Sequence, residues 1–234
     1  MSNRIDLNGS LLADCVPTFP PPGDLLNQGG SSENLSPLLK STLDALDLRY
    51  KDMSEVSDAI VSLAEMALFF TANGTIHRYS EDDLTYFRHF LPTAYEVLSV
   101  RRLSHGVIQS EAMHETLRLA CLVFLGLVKR HFRVPPDVVP NYHERLFSLL
   151  VTATLDWTSL FSLHLWVLAI CGVAAYGEER PLIVAEISRT IGNMTWQDAA
   201  AAIKSIAWTE QATPYELDIL GQEVRKHQEE SGLL

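Results

Sequence analysis

Eight histidines and three cysteines are the side chains of this 234-residue chain best suited to nucleophilic, general-base or metal-binding work. Spacing decides whether any of them is organised for it. His114-Glu115 opens like the zinc-protease helix, in which two histidines four residues apart bind the metal and the glutamate between them activates water. Position 118 is Arg118, so the second ligand is missing and the pair reads as the solvated start of a helix. His143-Glu144-Arg145 is contiguous, so its side chains fan around a helix instead of converging, which reads as a surface face. His164 lies in an apolar run where an imidazole must find a hydrogen-bond partner; it reads as a satisfied core histidine in preference to a ligand or base. Cys15, Cys121 and Cys171 are too widely separated for a disulfide framework or a thiolate zinc cluster. The last two sit among apolar residues as small buried hydrophobes. Gly172, Gly177 and Gly192 form no phosphate loop or dinucleotide fingerprint, and there is no nucleophile elbow. Gly172 instead suits close helix packing. The expectation is a chain with no catalytic residue, no metal site and no cofactor.

The element that organises the rest is the uncharged run Trp157 to Tyr176, which ends abruptly at Gly177-Glu178-Glu179-Arg180. A bilayer needs about 20 apolar residues in helical rise, and this run is diluted by Thr158, Ser159, Ser162 and His164. Its upstream flank is Asp156, not the Lys/Arg cluster that sets membrane topology. A central buried helix is therefore expected; a membrane-associated protein using residues 157–176 is the alternative.

Around it the chain is helical by pattern. Residues 1–33, rich in Pro, Gly, Ser and Asn, read as a flexible leader in which Leu11-Leu12 or Val16 to Phe19 could dock on the surface. Ser36 is an N-cap before Pro37, followed by a stripe of Leu38, Leu39, Leu43 and Leu46. Val56, Ile60, Leu63, Ala64, Ala67 and Leu68 make a second stripe ending near Asn73-Gly74. Ser80 with Asp83 predicts a short third helix that stops before Pro92. Further helices are expected over 111–132, closed by Pro135-Pro136, and over 141–155. Another begins around Pro181 and ends at Gly192-Asn193. One more follows the Thr195/Asp198 capping pair, and the last opens at Thr213-Pro214-Tyr215-Glu216. Trp157, Trp166, Trp196 and Trp208 read as core anchors. With no strand periodicity and no fixed repeat, about nine helices describe a single all-α domain over 34–234.

The formal charge is −11, from 29 acids and 18 bases, which opposes direct contact with nucleic acid, since that needs clustered cations. The basic cluster Lys129 to Arg133 reads as a helix end complementing the macrodipole. Met1 to Cys15 lacks a continuous apolar segment of the secretory type, so an intracellular, reducing compartment is expected and the sequons at Asn34, Asn73 and Asn193 are chance matches.

Leu117-Arg118-Leu119-Ala120-Cys121-Leu122-Val123-Phe124-Leu125 is followed some way on by Leu165-Trp166-Val167-Leu168-Ala169-Ile170-Cys171-Gly172-Val173-Ala174-Ala175. Then come Glu179-Arg180-Pro181-Leu182-Ile183, Trp196 and Ile206-Ala207-Trp208. This order resembles the C-terminal regulatory region of fungal-specific transcription factors of the zinc-cluster type, over residues 110–215 and more weakly back to 36. The sequence departs from that pattern at Pro181-Leu182, where an aromatic residue is expected. Its three cysteines cannot build the family's six-cysteine cluster. The resemblance implies a regulatory domain in the nucleus, or in the cytoplasm, acting through protein partners such as the transcription machinery or a DNA-binding partner, or through a small effector. DNA recognition would be supplied elsewhere. The chain would then be a fragment, a shortened product or a stand-alone relative of that domain. The other alternative is an all-α enzyme of unrecognised type using His114, His143 and His164.

Overall fold

Two helix starts follow the capping chemistry written in the chain. The Ser36 hydroxyl oxygen accepts from the Leu39 amide at 3.0 Å, with Pro37 in the first turn, satisfying an amide that has no acceptor within the helix. The same hydroxyl donates to the Ser205 carbonyl at 2.9 Å, tying this helix start to a distant turn. Thr195 repeats the device: it accepts from the Asp198 amide at 3.2 Å and donates to the Asp198 carboxylate at 2.7 Å.

The computed structural model describes residues 2–19, 35–73, 86–102, 109–131, 137–210, 213 and 215–232. Among these there are ten α-helices and no strand, so the fold is all-α as expected. They are α1 (Ser2–Ala13), α2 (Pro37–Arg49), α3 (Ser54–Asn73), α4 (Leu91–Ser99), α5 (Gln109–His131), α6 (Val139–Thr152), α7 (Phe161–Ala174), α8 (Glu179–Ile191), α9 (Trp196–Lys204) and α10 (Glu216–Glu230). A π-helical turn, Tyr86–Phe90, runs directly into α4.

Several boundaries differ from the sequence pattern. Pro92, expected beyond a helix end, lies in the first turn of α4, where a residue without an N–H is tolerated. The Ser80/Asp83 box and Pro135-Pro136 lie outside the described residues. Leu38 and Leu68 are exposed; Thr42 and Phe70 take the buried positions on their helices. α10 starts after the Thr213-Pro214 signal, because buried Thr213 donates its hydroxyl to the Thr209 carbonyl at 3.3 Å instead of capping. Tyr215 then enters the helix at φ +70° with no side-chain cap. Pro214 is outside the described residues.

One hydrophobic core runs through the domain. The run Trp157 to Tyr176 supplies only the 14-residue α7, about 21 Å long at about 1.5 Å per residue and short of a hydrocarbon core of about 30 Å. No described helix is long and apolar enough to cross a membrane. Every residue from Leu165 to Gly172 is buried, since α5, α6, α8, α9 and α10 surround the helix on all sides. Trp166, fully buried, donates its indole N–H to the Ala207 carbonyl at 2.6 Å. Phe124 of α5 lies between Trp166 and Trp208, 6.3 Å from each ring. α5 is equally enclosed: Met113 through Lys129 are all buried.

Two glycines set how closely helices approach α7 and α9. The space beside Gly172 is filled by Leu220 methyls, 3.2 Å from where a Cβ would stand. At Gly221 a Cβ would fall well under 3.0 Å from the Trp196 indole nitrogen. Gly221→Ala is therefore expected to destabilise the fold by about 1–3 kcal/mol, the usual range for overpacking, with the Trp196 fluorescence environment altered. An unchanged urea midpoint would contradict this packing.

Candidate functional site

A guanidinium in the middle of an apolar helix has to be neutralised and fully hydrogen-bonded, because a bare buried charge costs several kcal/mol. Arg118 stands in such a place on α5 and is 2% exposed. Its Nε and Nη2 donate to the Glu115 carboxylate at 2.8 and 2.9 Å. Its Nη1 and Nη2 donate to the two oxygens of Asp14 at 2.7 and 2.9 Å. Arg145 of α6 bridges the same carboxylates, donating to Asp14 at 2.6 Å and to Glu115 at 2.9 Å. Arg102 approaches Asp14 at 3.6 Å from the rim. Burial would push the Asp14 carboxyl up, but hydrogen bonds from Arg118 and Arg145 outweigh it and hold the group down at about 2. Burial likewise opposes the charge on Arg118, and its two carboxylate partners restore it.

Three elements position this cluster. α5 and α6, the most extensively packed pair of helices, carry Glu115, Arg118 and Arg145. Asp14 arrives from the turn after α1 at φ +51°. α1 is docked: Leu7, Ser10 and Leu11 are buried, it packs on α4, and the buried Tyr142 hydroxyl donates to the Leu11 carbonyl. Leu11 thus docks as the leader allows, whereas Leu12, Val16 and Phe19 stay exposed. Beside the cluster lies a cleft of about 410 Å³ whose lining includes Glu111, Glu115, Arg145 and Ser148. Chemically the arrangement is a carboxylate clasp: two planar guanidinium forks receive a carboxylate at well-formed hydrogen-bond distances.

The three sequence-nominated histidines stand apart from it and from each other. His114 is 1% exposed, not solvated, and neither ring nitrogen has a partner. Burial lowers its pKa, with nearby Glu115 and Glu55 opposing. His143 is buried too, and Arg145 is bound inward, so only Glu144 of that triplet matches the expected surface face. Nε2 of His143 lies 3.1 Å from the Cys171 carbonyl and Nδ1 lies 3.4 Å from Glu179. Since a carbonyl only accepts, Nε2 carries the proton and is occupied with backbone, not with a side-chain nucleophile. Burial again lowers its pKa, against Glu179. His164 stacks on Trp157 with centroids 4.6 Å apart, and burial lowers its pKa to about 4.

Cys121 and Cys171 are buried as expected, and burial raises the Cys121 thiol to about 12, far from a reactive thiolate. Among the described residues no group of three or more His, Cys, Asp or Glu side chains is placed to hold a metal ion. In the basic cluster, Lys129 is buried, and Arg130, at the surface, pairs with Asp137 at 2.8 Å; Phe132 and Arg133 are outside the described residues. Sequence reading missed the clasp. Its one local signal was Arg118 set between Leu117 and Leu119, a charge in a stripe that must be buried.

Comparison with family models, curated proteins and solved structures yields no match.

Proposed function

We propose that residues 1–234 are a regulatory and interaction domain of the kind found at the C-terminal end of fungal zinc-cluster transcription factors, and that they do not themselves contact DNA. The domain controls transcription through protein partners or a small effector, with the nucleus as its place of action. The observation that carries the reading is that the segments bearing the resemblance pack as one unit. Phe124 of the Leu117 helix meets Trp166 and Trp208, Trp166 bonds to Ala207, and Arg180 of the Glu-Arg step donates to the Gly172 carbonyl at the end of α7. The net charge of −11 fits a surface that meets proteins better than one that meets phosphates.

Joined to a DNA-binding module with its own operator, the full chain is expected to change reporter transcription several-fold relative to the module alone, and the tagged chain to accumulate in the nucleus. A folded fusion that leaves the reporter unchanged would overturn the reading.

A further inference from the structure

We infer that the face formed by α4, α5 and α6 is an acceptor for an amphipathic helix that ends in an acidic residue. The chain's own arm, residues 2–19, is the resident occupant, and a partner protein's helix of the same chemistry displaces it. This inference stands on the clasp alone and does not depend on a role in transcription.

Recognition at this face follows a compact code. Leu7 and Leu11, one helical turn apart, are the apolar anchors and are 3% and 1% exposed. Such i, i+4 pairs are how a helix is read by a groove. The Tyr142 hydroxyl takes the Leu11 carbonyl, one of the last carbonyls of α1 and so without an acceptor role inside the helix. Three residues after Leu11, the Asp14 carboxylate enters the forks of Arg118 and Arg145. A helix of the form Leu-x-x-x-Leu-x-x-Asp meets every one of these demands.

Charge fixes the acidic end. With Asp14 withdrawn, Arg118, Arg145 and the rim residue Arg102 face Glu115 as the one remaining carboxylate of the cluster. That leaves an excess of positive charge at the face, centred on Arg118, the least exposed of the three, and an incoming carboxylate neutralises it. Burial of Leu7 and Leu11 in turn excludes a bare inorganic anion as an equivalent occupant, because the apolar half of the face would return to water.

The resident arm is built to be exchanged. α1 contains Asn8 and Gly9 in mid-helix, both poor helix formers, and at 12 residues it is too short to hold its shape undocked. Its packing partner among the helices is α4, while α5 and α6 hold it mainly through Arg118, Arg145 and Tyr142. The packing of α5, α6 and α7 on one another does not pass through it.

The test uses the full chain and a fluorescent peptide carrying residues 2–19. In the Asp14→Lys chain, whose own arm is repelled from the clasp, the peptide is expected to bind at least about ten-fold more tightly than to the wild type, where the tethered arm competes. A peptide with the Asp14→Asn change is expected to lose about ten-fold of that affinity, the usual scale for a charge-assisted bidentate contact. Equal binding to both chains, or indifference to the carboxylate, would sink the inference. If Asp14→Lys does not fold, hydrogen exchange on the wild-type chain decides. Amides of α1 opening as a unit well before those of α5 and α7 support the exchangeable arm; opening only with the whole domain overturns it. Wild-type dimers abolished by Asp14→Lys would assign the face to a second copy of this chain, which also overturns it.

Discussion

Replacing Arg118 by methionine is expected to destabilise the protein by about 3–5 kcal/mol, the cost of removing one partner from a buried ion pair. Methionine keeps the length and apolar stem of the side chain, so the loss reports the charge and its hydrogen bonds. Arg118 makes four of the bonds that hold the two carboxylates. Without it, Glu115 and Asp14 share Arg145 and the more exposed Arg102. Asp14 can withdraw with the arm into water, but Glu115 cannot, since it lies on α5 and is 2% exposed. Three variants should therefore rank in order. Arg118→Met falls furthest; Arg118→Lys, which keeps charge but loses the fork, falls less. Asp14→Asn falls least, because undocking α1 caps its cost. Urea denaturation with matched m-values checks the ranking. An Arg118→Met chain no less stable than one changed at exposed Arg189 would refute the buried clasp.

The second large effect is acid lability between pH 6.5 and 4. His89, His114, His143 and His164 all have pKa values lowered in the fold, each chiefly by burial. For a group whose pKa is depressed on folding, the unfolded chain binds the proton first, so stability falls as pH drops through about 6.5 and stops falling below the folded pKa. For His164 the interval from 6.5 to about 4 corresponds to roughly 3 kcal/mol at about 1.36 kcal/mol per unit. Asp14 works in a lower window: held at about 2 against an ordinary 3.8, it adds stability above 3.8 that is lost only as pH falls towards 2. Melting temperatures of the wild type should thus drop steeply between pH 6.5 and 4, with His164→Gln removing the largest single share of the slope. A wild-type melting temperature that is flat across that interval would refute the histidine assignment.

The parts of this fold that could be read from sequence are those decided locally. Ser36-Pro37, Thr195/Asp198 and Gly192 each act within one helical turn, and each does as its chemistry requires. The central helix was visible because α7 has no charge to hide. α5 was misjudged for the opposite reason. His114 and Glu115 suggested a solvated helix start, yet both are buried with Arg118, and Glu115 and Arg118 neutralise each other and a third residue 104 positions away. No spacing rule links Asp14, in a Pro- and Gly-rich leader, to an arginine on α5. The same limit applies to Thr213, whose capping pattern is sound but whose hydroxyl is claimed by Thr209 once the turn is packed.

The complete enclosure of α7 also constrains the order in which a nascent chain can mature. Most of its cover comes from α8, α9 and α10, which leave the ribosome after it. Until they emerge, the segment from Leu165 to Gly172 has nowhere to place an apolar surface that faces every direction, and no amphipathic half-measure is open to it. Its safekeeping in that interval falls to chaperones or to α5 and α6 alone. A polypeptide stopped before α8 would carry the most insoluble part of the molecule uncovered.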